Sequence, residues 1–288
     1  MLFLSHSQID KGRWNETIER SLSPRIYAMS WYLDVVSPGW EALVSEDYSY
    51  VIPLPVKKRW GYKYVGHPPL TKQLGLFSTS QLDSSTIQQA LQSIPYSNVH
   101  LLWGGENPIE GLEPTEINMS LSLNAPIETL RSAYQQNTQR NVRRSGNGEL
   151  TFYEVEPDDL FVDKLFLHNP HFNSSLRPLV SHLIAQCQFY GEVHTWVVSD
   201  HTGKWLAGTC WLVWGGRSYF LFPFTSPVGK EFFALFALVD SYIAHHSGSE
   251  LTLDFEGSNV PSIYRFYKGF GAKEERFYRY IKKAWWRW

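Results

Sequence analysis

Three strand-like runs follow one another between residues 193 and 226: VHTWVVSD, WLAGTCWLVWGG and RSYFLFPFTS. Each is rich in β-branched or aromatic residues and bounded by turn residues. His201-Thr202-Gly203 is a tight turn that predicts a hairpin between the first two, and the third reads as a further strand. The segments on either side alternate between strand and helix patterns. INMSLSLN (117–124) alternates as a strand, and APIETLRSAYQQNTQRNVRRS (125–145) reads as one long helix ended by Gly146 and Gly148. ELTFYEVE follows as a strand, then two helices, EPDDLFVDKLFLHN and NSSLRPLVSHLIAQCQFYG. After the three runs come a helix (229–248), the strand ELTLDFEGS, a short helix in SNVPSIYRFYKGFGAK and a closing strand, ERFYRYIKKAWW. That order is a mixed α/β pattern around a central sheet.

The first part is a shorter version of the same theme. DKGRWNETIERS reads as a helix, and SPRIYAMSWYLDVVS as an extended aromatic stretch. YSYVIPLPVKKRWGYKYVG reads as two strands with a turn near Lys57-Lys58-Arg59, HPPLTKQLGLFS as a loop, STIQQALQSIP as a short helix and NVHLLWG as a strand. GGENPIEGLEPTE is taken as the region between two halves, 1–115 and 116–288. The fold class expected is α/β (α+β): two related halves, each a mixed, mostly antiparallel sheet flanked by helices.

The formal net charge of −2 argues against a wholly basic nucleic-acid-binding surface. Cys187 and Cys210 form no CxxC pair and no zinc spacing, so a reduced, cytoplasmic setting is expected. MLFLSHSQIDKGRW has no basic residue before its brief apolar run, so no secretory signal and no membrane insertion are expected. His168 with His171 and His245 with His246 lack the carboxylates or cysteines that would complete a metal site, and none is expected.

Three stretches together resemble the GNAT acyltransferase superfamily, and within it the bacterial FemAB-type proteins, which carry two GNAT-like halves. TLRSAYQQNTQRNVRRSGNGELTFYEV is similar to the FemAB-type helix with its R-N-x-R-[RK] signature. YFLFPFTSPVGKEFFALFALVDSYIA is similar to the GNAT strand, phosphate loop and helix. LDFEGSNVPSIYRFYKGFGAK is similar to the closing FemAB-type strand and helix. The resemblance covers roughly the second half; the first matches loosely. It implies transfer of an acyl or aminoacyl group from acetyl-CoA, another acyl-CoA or aminoacyl-tRNA to a small-molecule or peptide amine, by a monomer or homodimer. It also implies donor contacts at Phe224, Thr225, Ser226, Gly229 and Lys230. One departure stands out. A GNAT phosphate loop, [QR]-x-x-G-x-[GA], uses small residues so that backbone N–H groups can approach a pyrophosphate. Here Ser226 replaces the leading residue and Glu231 the second small one, which puts conventional CoA binding in doubt. The chain has no coiled-coil arm of the kind often seen in tRNA users.

Ile263, Phe266, Tyr267 and Phe270 fall at i, i+3, i+4 and i+7, one buried helix face, with Ser258 or Asn259 as cap and Pro261 early. Tyr264, Arg265 and Lys268 lie off that stripe. In GNAT enzymes a tyrosine near this position can protonate the leaving thiolate, so Tyr264 and Tyr267 are the acid candidates; otherwise Tyr267 is core and Tyr264 surface. Strand alternation puts Asp254 and Glu256 on one face at a strand end, where a carboxylate can serve as base for an amine; Glu256 is preferred, and a capping role is the alternative. Pro223 inside a strand predicts a bulge or splayed edge, consistent with the parted strands a GNAT cleft needs, and it also fits an ordinary strand end. Tyr134, Asn137, Asn141 and Arg144 form one helix stripe with Arg140 and Arg143 beside it, which suits an anionic substrate group or a solvated basic face. Trp103, Tyr134 and Trp211 are the expected acceptor surfaces. A scaffold that has lost catalysis and only binds is the second functional expectation.

Overall fold

The computed structural model describes residues 1–146, 150–169, 172–257 and 259–283. The chain divides into two compact units, Met1–Glu116 together with the residues from Arg276 onward, and Ile117–Glu275. In the first unit the elements run β1 (Leu2–Leu4), α1 (Lys11–Glu19), α2 (Ser30–Val36), β2 (Glu41–Val44), β3 (Tyr50–Leu54), β4 (Val56–Arg59), β5 (Tyr62–Gly66), β6 (Phe77–Ser78), α3 (Ser84–Gln92) and β7 (Val99–Trp103). Strands β1, β2, β3 and β6 form an antiparallel sheet in that order. Strands β4 and β5 form an antiparallel hairpin, and β5 pairs in parallel with β7.

Asp10 starts α1 by accepting the Gly12 and Arg13 amides. Trp14 and Ile18, one turn apart, are then fully buried. The Trp14 indole donates to Ala28 O at 2.7 Å, and its ring lies 4.7 Å from that of Trp40. The stretch expected to be extended is instead helical: α2 buries Ser30, Trp31, Tyr32, Leu33, Val35 and Val36. A helix covered nearly all round shows no 3.6-residue stripe, and its aromatic and branched residues imitate a strand. The expected turn at Lys57-Lys58-Arg59 is also displaced. Those residues lie within β4, and the chain reverses at Trp60-Gly61, both in left-handed conformation (φ 49° and 85°).

In the second unit the elements are β8 (Glu116–Ser122), α4 (Ile127–Ser132), α5 (Gln136–Ser145), β9 (Thr151–Val155), α6 (Asp159–His168), α7 (Arg177–Tyr190), β10 (Glu192–Ser199), β11 (Trp205–Trp214), β12 (Arg217–Thr225), α8 (Pro227–Glu231), α9 (Ala234–His246), β13 (Thr252–Asp254) and α10 (Pro261–Gly269); β14 (Lys273–Lys282) follows, and its residues from Arg276 onward belong to the first unit. The sheet order is β8-β13-β12-β11-β10-β9, antiparallel except for the parallel β12–β13 pair. Residues Tyr278–Lys282 of β14 pair with β7 in the first unit's sheet. The predicted hairpin is β10–β11, where the Asp200 carboxylate accepts the Thr202 and Lys204 amides.

Two expected single helices are broken. The helix over 125–145 stops at Ser132 and restarts at Gln136, because Gln135 is extended (ψ 149°) and its amide donates to Gly269 O at 2.8 Å. The helix over 229–248 breaks at Phe233, which is left-handed (φ 54°). At Gln135 a tertiary hydrogen bond outweighs local periodicity. Gly148, one of the expected helix terminators, lies outside the described residues. The main core of this unit gathers Trp211, Phe220, Tyr242, Phe255, Tyr267 and Phe270. Burying such side chains contributes about 1.5–3 kcal/mol each.

Candidate functional site

Strands β12 and β13 run side by side only at Arg217/Thr252, Ser218/Leu253 and Tyr219/Asp254. Beyond Tyr219, β12 continues to Thr225 while β13 ends. The chain leaves through Glu256 (φ 58°) and Gly257 (φ 53°). A side chain at Gly257 would put its Cβ 2.3 Å from Ile117 O, so the left-handed exit hugs the backbone of β8. The strand alternation that placed Asp254 and Glu256 on one face therefore stops at Phe255.

The bulge expected at Pro223 is present. Cys210 pairs with Leu221 and Gly208 with Phe224, so Phe222 and Pro223 together oppose Thr209. Thr209 Oγ1 donates to Leu221 O at 2.7 Å, and Asn169 Nδ2 to Pro223 O at 3.2 Å. The extra residue reverses the facing of the strand. Phe220 packs on Phe255 and Tyr267 (5.8 and 6.1 Å), whereas Phe224 packs on Phe161 and His168 (5.7 and 6.0 Å). Phe220, Phe255 and Tyr267 thus meet where the strands part.

Asp254 is 1% exposed. It accepts from Asn118 Nδ2 at 3.0 Å, from Arg217 at 3.0 Å and from the Glu256 amide at 2.9 Å. Arg217 also reaches Glu275 at 3.3 Å, and Glu275 accepts from Ser120 Oγ at 2.6 Å. Asp254 is a member of a closed charge network rather than an available base. Glu256, two residues on, is half-buried outside that network's core. Tyr267 is 9% exposed and stacks on Phe255 at 4.8 Å. Burial, then the negative charges of Glu256 and Asp254, push its phenol well above the ordinary value, so it is neutral across the physiological range. Among the described residues no group hydrogen-bonds its hydroxyl. Tyr264 is placed differently: its hydroxyl donates to Glu274 and accepts from Lys268 Nζ (2.8 Å), a surface chain of polar groups.

Helix α10 begins at Pro261 with Val260 in the cap position and no side-chain cap. Asn259 does not take the capping role, and Ser258 lies outside the described residues. The buried stripe is as expected: Tyr267 and Phe270 are buried and Ile263 and Phe266 pack against the same core. Gly271 is left-handed (φ 82°) at the exit.

The segment expected to hold a donor pyrophosphate is spoken for internally. The Ser226 amide donates to Leu206 O (2.8 Å), and the Lys230 amide to Ser226 O (3.0 Å). The Gly229 amide donates to Ser226 Oγ (3.0 Å), and Pro227 has no N–H. A Cβ at Gly229 would lie 2.1 Å from Leu206 O, so this glycine serves close packing on β11. Ser226 and Phe224 are buried, Thr225 is half-buried and Lys230 is exposed. The amides of Ser226, Gly229 and Lys230 are thus already bonded within the protein rather than turned to a CoA pyrophosphate.

The expected basic stripe is split. Tyr134 precedes α5, is buried against Phe270 (5.2 Å) and donates to Asp240 at 3.1 Å. Arg131 grips the same carboxylate through two bonds, 3.0 and 2.7 Å. On α5 the buried residues are Thr138, Asn141 and Ser145, while Asn137 accepts from Arg140 on the exposed side at 2.6 Å. Arg144 sits over the Phe233 ring at 5.3 Å. Trp211 and Trp103 are fully buried and offer no acceptor surface. Trp211 stacks on Tyr242 at 3.7 Å, and the Trp103 indole donates to Asn107 O at 2.8 Å. Burial raises both cysteine thiols, Cys210 to about 12. Among the described residues no group of three His, Cys, Asp or Glu could hold a metal; Pro170 and His171 lie outside them. The reading of the sequence missed Asn118, Ser120, Arg217 and Glu275. Only Asp254 among their partners carried a local signal.

No family model matches the chain, and no curated protein matches it. Solved structures do. FemX superposes with a TM-score of 0.68 at 12% identity, over 98% of this chain and 97% of FemX. The fold is GNAT-like, of the FemAB type. A conserved protein of unknown function from Bacteroides thetaiotaomicron follows at TM-score 0.57 and 8% identity, over 95% of this chain and 97% of that one. L-PGS from Bacillus licheniformis matches at TM-score 0.54 and 11% identity, over 96% of this chain and 92% of that one. In the FemAB-type frame the two units are tandem GNAT-like halves, and the parted β12–β13 pair belongs to the second. Among the described residues no helix is long and apolar enough to cross a membrane.

Proposed function

We propose that the chain is a transferase that moves an acyl or aminoacyl group from an ester donor, aminoacyl-tRNA, to an amine. The observation that carries this reading is the parting of β12 from β13 beside Tyr267, a buried neutral phenol, and Glu256, a half-buried carboxylate. The amine nitrogen attacks the ester carbonyl and Glu256 takes its proton. The carbon–oxygen bond of the ester breaks, and Tyr267 gives its proton to the departing oxygen. The bonded amides of Ser226, Gly229 and Lys230 favour an ester over a CoA thioester. They also favour a second reading, a scaffold that binds without turnover.

The test is the purified chain with radiolabelled aminoacyl-tRNAs or acetyl-CoA and a panel of primary amines. Label should enter an amide from aminoacyl-tRNA, with a steep loss of rate as salt rises. Use of acetyl-CoA at comparable kcat/KM would overturn the donor assignment. Binding of aminoacyl-tRNA with no transfer to any amine would favour the second reading.

A further inference from the structure

The β4–β5 hairpin of the first unit ends in Lys58-Arg59-Trp60-Gly61-Tyr62-Lys63, every residue of it exposed. Trp60 is 71% exposed and Tyr62 67%. We propose that this hairpin tip docks the protein on an anionic lipid surface, with Trp60 and Tyr62 in the headgroup layer and Lys58 and Arg59 against lipid phosphates. The inference does not depend on the transfer reading.

The charge arrangement argues for an external anionic partner. Lys58 stands directly opposite Lys63 across the hairpin, a like-charge pairing that destabilises an isolated ribbon. Lys63 has an acid, Glu41, at 2.8 Å, and Lys57 is tied to His67 O at 2.9 Å. Among the described residues neither Lys58 nor Arg59 has a carboxylate partner; Arg59 lies over the Trp60 ring at 4.5 Å. Lysines on an edge strand can serve only to deter sheet-to-sheet pairing. That role has no use for a Trp and a Tyr held in water at the turn.

Two polyanionic surfaces suit cations interleaved with aromatics: a lipid interface, where Trp and Tyr sit at the headgroup level beside basic residues, and single-stranded nucleic acid. The charge balance favours the first. Four cations lie between Val56 and Gly66 with no acid among them, so taking them from the formal net charge of −2 leaves −6 for the remainder. Tracking a nucleic-acid backbone needs a continuous basic groove. A two-residue turn backed by a net-acidic body suits contact at a point with a charged plane.

The test uses the full chain and sedimentation with vesicles of phosphatidylcholine alone or with about a third phosphatidylglycerol, whose charge gives the surface the negative potential that attracts basic segments. The wild-type chain should partition onto the anionic vesicles at least about tenfold more strongly than onto the neutral ones, and lose that preference in high salt. K58E/R59E should weaken partition by about tenfold or more, and Trp60→Ser by several-fold, with melting curves like the wild type. Equal partition onto both vesicle types overturns the proposal, as does K58E/R59E binding like the wild type. Displacement of the chain from vesicles by an equimolar single-stranded RNA 20-mer would assign the tip to nucleic acid instead and equally overturn it. The salt and lipid arms need only the wild-type chain, so they decide even where a variant folds poorly.

Discussion

At its start, β12 has a partner on each side. Arg217, Ser218 and Tyr219 pair with β11 and with β13, and Arg217 bridges the carboxylates of Asp254 and Glu275. Past Tyr219 the same strand has lost β13, carries a bulge and ends among aromatic rings, with Tyr267 and Glu256 alongside. Two carboxylates only two residues apart end up in different surroundings, Asp254 buried in the Arg217 network and Glu256 half-buried past the end of the strand. The difference teaches that a side chain's chemistry here follows from whether the strand beneath it is paired. The paired end spends its polar groups on stability; at the parted end the Tyr267 phenol has no hydrogen-bond partner among the described residues.

The comparison breaks most visibly at the paired end. Arg217→Met strands Asp254 and part-buried Glu275 without their cation and should cost about 3–5 kcal/mol, read as a shift of the denaturant midpoint. Loss of under about 1 kcal/mol would mean the network is not closed as described. Gly257→Ala tests the exit from β13. Its Cβ would meet Ile117 O at 2.3 Å in a left-handed conformation, so about 2 kcal/mol or more of stability should be lost, checked by thermal melting. Tyr267→Phe should leave stability at neutral pH nearly unchanged, within about 0.5 kcal/mol, because the hydroxyl bonds nothing among the described residues.

The smallest expected effect concerns pH. The folded Tyr267 phenol holds its proton to higher pH than an unfolded one. Above the unfolded value of about 10 the unfolded chain releases that proton while the folded chain keeps it, so stability falls as pH rises. Tyr267→Phe should reduce that alkaline loss, seen as a shallower fall in midpoint between about pH 9.5 and 11.

Much of this contrast could be read in the residues themselves. Pro223 announced the bulge because proline cannot donate to a ladder. Ile263, Phe266, Tyr267 and Phe270 announced the buried face of α10 by their spacing. The partners of Asp254 were invisible, since Asn118 and Glu275 lie 157 positions apart and meet only through the sheet. The break before α5 was equally hidden: it depends on Gly269 O accepting the Gln135 amide, a contact with no local trace. Strand β2 and helix α2 went unread for the same reason, as complete burial erases the alternation that reveals an element.

The most direct test of the parted end as the reactive end compares Tyr267→Phe with Tyr264→Phe in one transfer assay. Tyr264, bonded to Glu274 and Lys268, is the built-in control. The account predicts that Tyr267→Phe lowers kcat by about 10²–10⁴-fold with melting unchanged, while Tyr264→Phe stays within about twofold of the wild type. Full activity in Tyr267→Phe, or its loss in Tyr264→Phe instead, would contradict it.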